Sequence, residues 1–345
     1  MNDKPGARPE SRILVVRTDR VGDVVLSLPV FASLRSAMPD AYICALTRDY
    51  TRDLLTERDD VNEVISFKSK TSHIPLKEFP RILHEVKLKD FDVAIVLYSN
   101  FSVSALTMMA GIPKRIGPAT KLAQIFLTHR IIQRRSKGKK HEADHNLDLL
   151  WPLDISPLRK IKIAVQNKTE QIFSRNENKP LIGVHPGSGG SARNWPEQKY
   201  VELINELSLA GADVVITGSP QERRMVERIA QEVDPAVTTY IGEDGLKGLI
   251  SALAEFDVFI APSTGPLHIA SAVGTPVVGI YCPISVCLPS RWGPIGAHDT
   301  ALVPNVTECK TCIEEECEEW DCMYKIEVSL VRDSALAKVS SQTTL

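Results

Sequence analysis

Short apolar runs rich in Val and Ile alternate along the chain with longer stretches of helical period. In the first half, Ile13–Arg17, Tyr42–Leu46, Val64–Phe67 and Val93–Leu97 read as buried strands. Asp23–Met38 reads as a helix that bends or restarts near Pro29, where the ring removes an N–H donor. Helical material also lies at about 76–88 and 102–110. The second half repeats the scheme. Leu181–His185, Asp213–Thr217, Thr239–Ile241, Val258–Ala261 and Pro276–Tyr281 read as strands. Pro196–Ala210, Pro220–Val233, Leu246–Ala254 and Gly265–Val273 read as the helices between them. Buried strands separated by helices imply parallel sheets covered on both faces. The pattern predicts two Rossmann-like, doubly wound α/β domains, 1–165 and 180–325, with a polar linker at 166–179 and a C-terminal helix and tail at 326–345. Ligands of such domains bind at the carboxyl ends of the strands, so the expected site is a cleft there.

Composition changes this picture little. The chain has 345 residues, 43% hydrophobic and 24% charged, with net charge −2. The length suits two cores, and the charge gives no general attraction to nucleic acid. Val258–Ser290 lacks Asp, Glu, Lys and Arg, but Pro262, Gly265, Pro266, Gly274, Pro276 and Gly279 divide it into a strand–helix–strand rather than a membrane span. Met1–Glu10 is polar, with Pro5 and Pro9, and has no apolar core of a signal peptide; the expectation is a cytoplasmic protein with reduced thiols. No G-x-G-x-x-G follows the first strand of either half, and there is no Walker A sequence. The one D-x-D, Asp90 to Asp92, reads as a turn into a strand.

Three loops after strands carry candidate chemistry. Thr18-Asp19-Arg20-Val21-Gly22-Asp23 follows the first strand; Gly22 allows a tight turn or close approach to a ligand. Asp23 is either an N-cap or a general base that takes a proton from an acceptor hydroxyl. The second loop, His185 to Pro196, combines Ser188 and a Gly/Ser run with the fixed charge of Arg193, and Pro196 reads as the first helical residue. It is either a surface loop or a diphosphate cradle. The third, Pro262-Ser263-Thr264-Gly265-Pro266-Leu267-His268, brings free N–H groups to a helix start. His268, one turn in, is either a packing residue or a site residue.

Two charged segments and a cysteine group remain. Six Lys or Arg and no acid lie from His129 to His141, and seven acids with one Lys from Glu308 to Asp321. The basic segment, with Arg134, Arg135, Lys139 and Lys140, is either a solvated loop or a contact for an anionic acceptor or lipid headgroups. Cys309, Cys312, Cys317 and Cys322 could hold a structural zinc ion, an iron–sulfur group, or no metal at all. Cys44, Cys282 and Cys287 read as isolated core or loop residues.

The ordered set ILVVRTDRVGDVVLSLPVFASLR at 13–35, IGVHPGSGGSARNWP at 182–196 and APSTGPLHIASAVGTPVVGIYCP at 261–283 resembles the ADP-heptose–lipopolysaccharide heptosyltransferases, glycosyltransferase family 9. HEADHNLDLL at 141–150 and the Cys-rich tail at 309–323 also look like family features. The resemblance implies a GT-B fold, with two Rossmann-like domains facing a central cleft. It also implies inverting, metal-independent transfer of heptose from ADP-heptose to the lipopolysaccharide inner core, with no cofactor required. By position, Asp23 matches the base and Arg193 the group that steadies the donor diphosphate. Glu222, after Gly218-Ser219, matches an acid near the nucleoside, and Thr264, Gly265 and His268 match the donor-binding turn. Thr18, Arg20 and Gly22 fall on the acceptor side. Members often carry Asp where this chain has Ser263, which widens the implied donor to another nucleotide-activated heptose or hexose. The implied partners are a nucleotide sugar and a lipid-linked anionic glycan at the inner membrane. Two other readings fit the same loops: a different GT-B enzyme, such as a sugar-nucleotide epimerase, and a non-catalytic sugar-nucleotide-binding protein.

Overall fold

The computed structural model describes residues 11–342, except 57, 121, 166–170, 191–192, 235–236, 297 and 313–316. Met1–Glu10, the start of the expected linker, Ser191-Ala192 of the second loop and part of the Cys-rich tail therefore lie outside the described residues. The chain divides into two compact units. Unit 1 holds the residues up to Gln133 together with Ala143–Lys160; unit 2 holds Arg134–Glu142 and Ile161 onward.

Unit 1 is built on β1 (Arg12–Val16), β2 (Tyr42–Arg48), β3 (Glu63–Phe67), β4 (Val93–Val96), β5 (Lys114–Pro118) and β6 (His129–Ile131), with α1 (Val21–Val25), α2 (Leu28–Ala37), α3 (Phe79–Leu88), α4 (Phe101–Met109) and α5 (Glu142–Leu147). Its strands are all parallel, in the order β3-β2-β1-β4-β5-β6. Leu14, Val16, Cys44, Leu46, Ile65, Ala94 and Val96 are buried in one cluster with Val103 and Leu106 of α4. The helix expected over 23–38 is two helices, α1 and α2, broken at Leu26 and Ser27 with Pro29 in the first turn of α2. Gly22 is helical, inside the first turn of α1, and makes no tight turn. β5 and β6 carry Lys, Arg, Gly, Pro and His; they had no strand signature of their own and exist because β4 offers a paired edge. Asp92 accepts a bond from the Arg12 N–H at 2.8 Å, and Asp90 turns with φ 47°, so the D-x-D is indeed a strand entry.

Unit 2 repeats the order. β7 (Leu181–Val184), β8 (Asp213–Gly218), β9 (Thr238–Ile241), β10 (Val258–Pro262), β11 (Val277–Ile280) and β12 (Thr300–Leu302) form a parallel sheet, β12-β11-β10-β7-β8-β9. It is accompanied by α6 (Glu197–Leu209), α7 (Arg223–Glu232), α8 (Gly245–Leu253), α9 (Gly265–Val273), α10 (Pro289–Trp292) and α11 (Val328–Gln342). Pro196 is the N-cap of α6, extended at ψ 143°, and not its first helical residue. α11 packs on α6 and on β10 and β11, burying Val328, Val331 and Ala335, an i, i+3, i+7 stripe. Trp195, 1% exposed, donates from its indole N–H to the Ile326 carbonyl at 3.1 Å and so ties the second loop to the tail.

Two segments depart from their expected place. Within the expected linker, Phe173 is buried and stacks on Phe256 at 5.1 Å, while Glu255 accepts the Ile172 and Phe173 N–H groups. The Phe173 ring and the two bonds to Glu255 lay that irregular stretch on unit 2. The basic segment Arg134–Glu142 likewise belongs to unit 2. Glu142, 1% exposed at its side chain, is held by Arg135 and by Arg291 at 3.4 Å; the Ser290 hydroxyl donates to the Gly138 carbonyl at 2.9 Å.

Candidate functional site

A doubly wound sheet leaves a crevice where successive connections run to opposite sides, and ligands bind there. In unit 1 that point lies between β1 and β4; in unit 2 it lies between β7 and β10. The three loops singled out above follow β1, β7 and β10.

In unit 1, Arg17 closes β1 and is only 2% exposed. Its guanidinium meets the Asp23 Oδ1 at 2.6 Å and the Asp19 Oδ2 at 3.2 Å, and it donates to the Asn146 Oδ1 at 2.8 Å. Asn146 in turn donates to the Leu26 carbonyl at 3.1 Å. Asp23 is not the N-cap of α1. Arg20 takes that position, and Asp23 stands at the third helical residue, where its Oδ2 accepts the Arg20 N–H at 3.3 Å. Both carboxylate oxygens are thus aimed, while the side chain keeps 17% of its exposure. Thr18 donates to the Ser72 carbonyl at 2.7 Å, as does Asn100, the N-cap of α4, at 2.9 Å. Arg20 points outward. A depression of about 560 Å³ lined by Asp49, Tyr50, Lys68, Ser69, Lys70 and Pro75 adjoins this loop, since the Tyr50 hydroxyl donates to the Asp19 carbonyl at 3.1 Å.

In unit 2 the loop after β7 wraps a half-buried acid. Glu222 accepts the Ser219 N–H at 3.0 Å and its hydroxyl at 2.7 Å, together with a backbone bond from Gly189. Burial opposes its charge, yet the carboxyl lies below its ordinary range, because the His185 ring and these donors favour the anion. A Cβ on Gly187 would lie 2.0 Å from the Glu222 Oε1, so any side chain there must push the Glu222 carboxyl aside. Gly189 and Gly190 follow with φ 54° and 67°, the left-handed region. His185 is buried, bonded to the Thr217 hydroxyl at 3.0 Å, and burial lowers its pKa. Gly218 serves packing: a Cβ there would meet Val226 of α7 at 2.6 Å.

The loop after β10 starts α9. Thr264 is its N-cap in an extended conformation, and its hydroxyl turns back to the Pro262 carbonyl at 3.1 Å. The first-turn N–H groups at Gly265 and Leu267 therefore have no capping side chain. Ser263 is hydrogen-bonded to Tyr281. His268 is 4% exposed, and its Nδ1 has no partner among the described residues. Burial first, and the neighbouring His141 second, push its pKa down to about 3, so it is neutral. His141 is in turn anchored, its Nε2–H donating to the Gly293 carbonyl at 2.9 Å.

Arg193 donates to the Cys312 Sγ at 3.3 Å and lies 5.6 Å over the Trp320 ring. Arg134, Lys139 and Lys140 are exposed, whereas Arg135 is drawn in by Glu142. The zinc set, one of the alternatives for the four tail thiols, is not formed among the described residues. Among the described residues no three His, Cys, Asp or Glu side chains are placed to hold a metal ion. Cys322 is buried in the core, Cys309 turns to the Pro283 carbonyl and Cys312 faces Arg193. Cys282 and Cys287 are not isolated either. They are hydrogen-bonded to one another, and that bond, with backbone N–H groups of Ile284 and Arg193 overcoming burial, brings the Cys282 thiol down to about 6. Sequence reasoning missed Arg17, Asn146 and His141. Two signals were available: a cation ending an otherwise apolar strand, and the motif HEADHNLD at 141–148, quoted without a role.

Two parallel doubly wound units, each with its candidate loops at the switch point, are the architecture of the GT-B class. The chain belongs to glycosyltransferase family 9: the model described as Glycosyltransferase family 9 (heptosyltransferase) matches residues 80–322. A Haemophilus influenzae protein named only as a glycosyltransferase, with no donor in its name, is 36% identical over 84% of this chain and 87% of its own. Lipopolysaccharide heptosyltransferase 2 of Escherichia coli is 27% identical over 79% of this chain and 83% of its own. The solved ADP-heptose lipopolysaccharide heptosyltransferase II of E. coli has the same fold, with TM-score 0.80 at 22% identity over 96% of this chain and 99% of that one. No helix among the described residues is long and apolar enough to cross a membrane.

Proposed function

We propose that this glycosyltransferase moves a heptose from ADP-heptose to a lipid-linked, anionic lipopolysaccharide core acceptor by a single inverting displacement. The observation that carries the reading is the aimed carboxylate of Asp23, bound on one oxygen by buried Arg17 and on the other by the Arg20 N–H. A fixed carboxylate that keeps an exposed edge can accept the proton of an acceptor hydroxyl. The acceptor oxygen attacks the anomeric carbon, the bond to the diphosphate breaks, and the nucleoside diphosphate leaves with the electron pair. Its growing charge is met by the uncapped N–H groups of α9 at Gly265 and Leu267, by the Ser188–Gly190 loop and by the Arg193 guanidinium. Glu222 holds that loop in shape and faces the nucleoside. Arg20 and the depression with Lys68 and Lys70 take the acceptor's anionic groups, while Thr18, buried with its hydroxyl on the Ser72 carbonyl, holds the loop instead of meeting the acceptor. Arg134, Lys139 and Lys140 serve the same purpose from unit 2. The enzyme works on the cytoplasmic side of the inner membrane.

The family, with a lipopolysaccharide heptosyltransferase among its members, supports the sugar and the acceptor. The test is release of the nucleoside diphosphate by the purified full-length chain, with ADP-heptose and with a panel of other nucleotide sugars, each with and without a core acceptor lacking the terminal heptose. Acceptor-dependent release from ADP-heptose alone is expected. Release from a different nucleotide sugar would replace the donor, and binding without release from any donor would make the chain a non-catalytic binder.

A further inference from the structure

Unit 1 carries an apolar face that its core does not use. α4 opens with Phe101, 60% exposed, and closes with the exposed Met108 and Met109. These lie at i, i+7 and i+8, on one face of the helix. The 3-10 turn Leu122–Phe126 packs along α4, with the Phe126 ring edge-on to Phe101 at 5.0 Å. That turn points Leu122 outward, 82% exposed, and Ile125, 61% exposed. Single exposed apolar side chains are ordinary, but five gathered on one helix and the turn that runs along it mark a recognition surface.

The segment that carries it is one-sided in charge. The chain holds 43 Asp and Glu in 345 residues, yet none falls from Val93 to His141. Within unit 1, Arg115 donates to the Phe126 carbonyl at 2.7 Å and Arg130 to the Leu127 carbonyl at 3.4 Å, so both guanidinium groups stand at the end of the turn. A surface of anionic headgroups over an apolar layer matches both features at once: Leu, Ile, Phe and Met enter the boundary, and Lys and Arg meet the phosphates. We infer that the face formed by α4 and Leu122–Phe126 docks on an anionic lipid bilayer, with Phe101, Leu122 and Ile125 as the inserted side chains. The inference deepens, and rests on, the reading of a lipid-linked acceptor, because docking would place unit 1 where that acceptor is embedded.

Its test uses neither donor nor acceptor, so it can fail while the transfer reaction stands, and the reverse. The full-length protein is sedimented with vesicles of phosphatidylcholine alone and of phosphatidylcholine mixed with phosphatidylglycerol. Binding is expected only to the mixed vesicles, weaker as salt rises. The Leu122→Ser, Ile125→Ser double variant should bind at least about tenfold more weakly, since each apolar side chain contributes on that scale. Its turnover with a water-soluble acceptor should be unchanged. Ile125→Trp gives a second readout that does not depend on weakening anything: its emission should shift to the blue, and be quenched by brominated lipid, beyond the wild-type signal. No binding to mixed vesicles, equal binding by the double variant, or an unshifted Ile125→Trp signal would each overturn the inference. So would a wild-type dimer that the double variant dissolves while vesicle binding persists, which would make the face a contact between two copies.

Discussion

The two switch points share one strand order and opposite chemistry. At the one in unit 1, charged side chains do the holding: Arg17 is buried between the carboxylates of Asp19 and Asp23 and is fixed by Asn146. At the one in unit 2, Glu222 and Arg193 carry charge, but much of the lining is backbone and neutral groups: glycines at 187, 189 and 190, the uncapped start of α9, and His268, kept neutral at a pKa of about 3. The difference fits the division of labour in the proposed reaction. A single proton needs one charged acceptor at a fixed point. A diphosphate spreads its charge over several oxygens and is met best by an array of N–H dipoles.

Substitutions can break that division of labour. The largest effect is expected from Asp23→Asn, which keeps the shape and the bond from Arg17 but cannot take a proton. Turnover should fall on the order of a thousandfold with donor affinity unchanged, read by steady-state rates and donor titration calorimetry. A variant as fast as the wild type would remove Asp23 as the base. Next comes Arg17→Met, which leaves two carboxylates facing each other without their buried cation. Unfolding in urea should show a loss of about 3 kcal/mol; a change within the error of the measurement would mean that solvent already screens the trio. Gly187→Ala should act on the other switch point only. Its Cβ must displace Glu222, so donor KM should rise about tenfold while turnover at saturating donor is kept, the size of a modest overpacking cost. A fall in turnover without a change in donor KM would contradict the separation of roles.

The smallest effect is on pH dependence. His268 is folded as the neutral ring, with a pKa lowered from about 6.5 to about 3. The unfolded chain therefore binds a proton first as pH falls, and the contribution of this residue to stability is complete above 6.5 and erodes from there toward 3. His185, also lowered by burial, acts in the same direction. Urea midpoints should drop between pH 7 and pH 5, and His268→Phe should flatten the slope. A slope identical in that variant would show that His268 is not the group responsible.

Much of this was legible in the residues. The run without charge from Val258 to Ser290 contains β10, α9 and β11, and α9 spans Gly265–Val273 as its pattern predicts, because an uncharged run cut by Gly and Pro has few ways to fold. Pro29 marked the break between α1 and α2 within a turn. β5, β6, β12 and α5 were not legible. They are short, polar or interrupted, and pairing with a neighbour rather than their own pattern makes them regular. Asp23 was foreseen as a cap or a base, and its place is a third alternative, a helical third residue that is both capping and aimed.

The chain by itself determined its alternation of strands and helices and which loops follow strands, since apolar period and Gly/Pro punctuation act over a few residues. It did not determine which distant side chains share a site. Only the tertiary structure brings Asn146 to Arg17, 129 residues away, sets His141 beside His268, and takes Arg134–Glu142 into unit 2 around a buried Glu142. The reason is physical: a strand's place in a sheet depends on all its possible neighbours at once, and a buried charge finds its partner only after that order is complete.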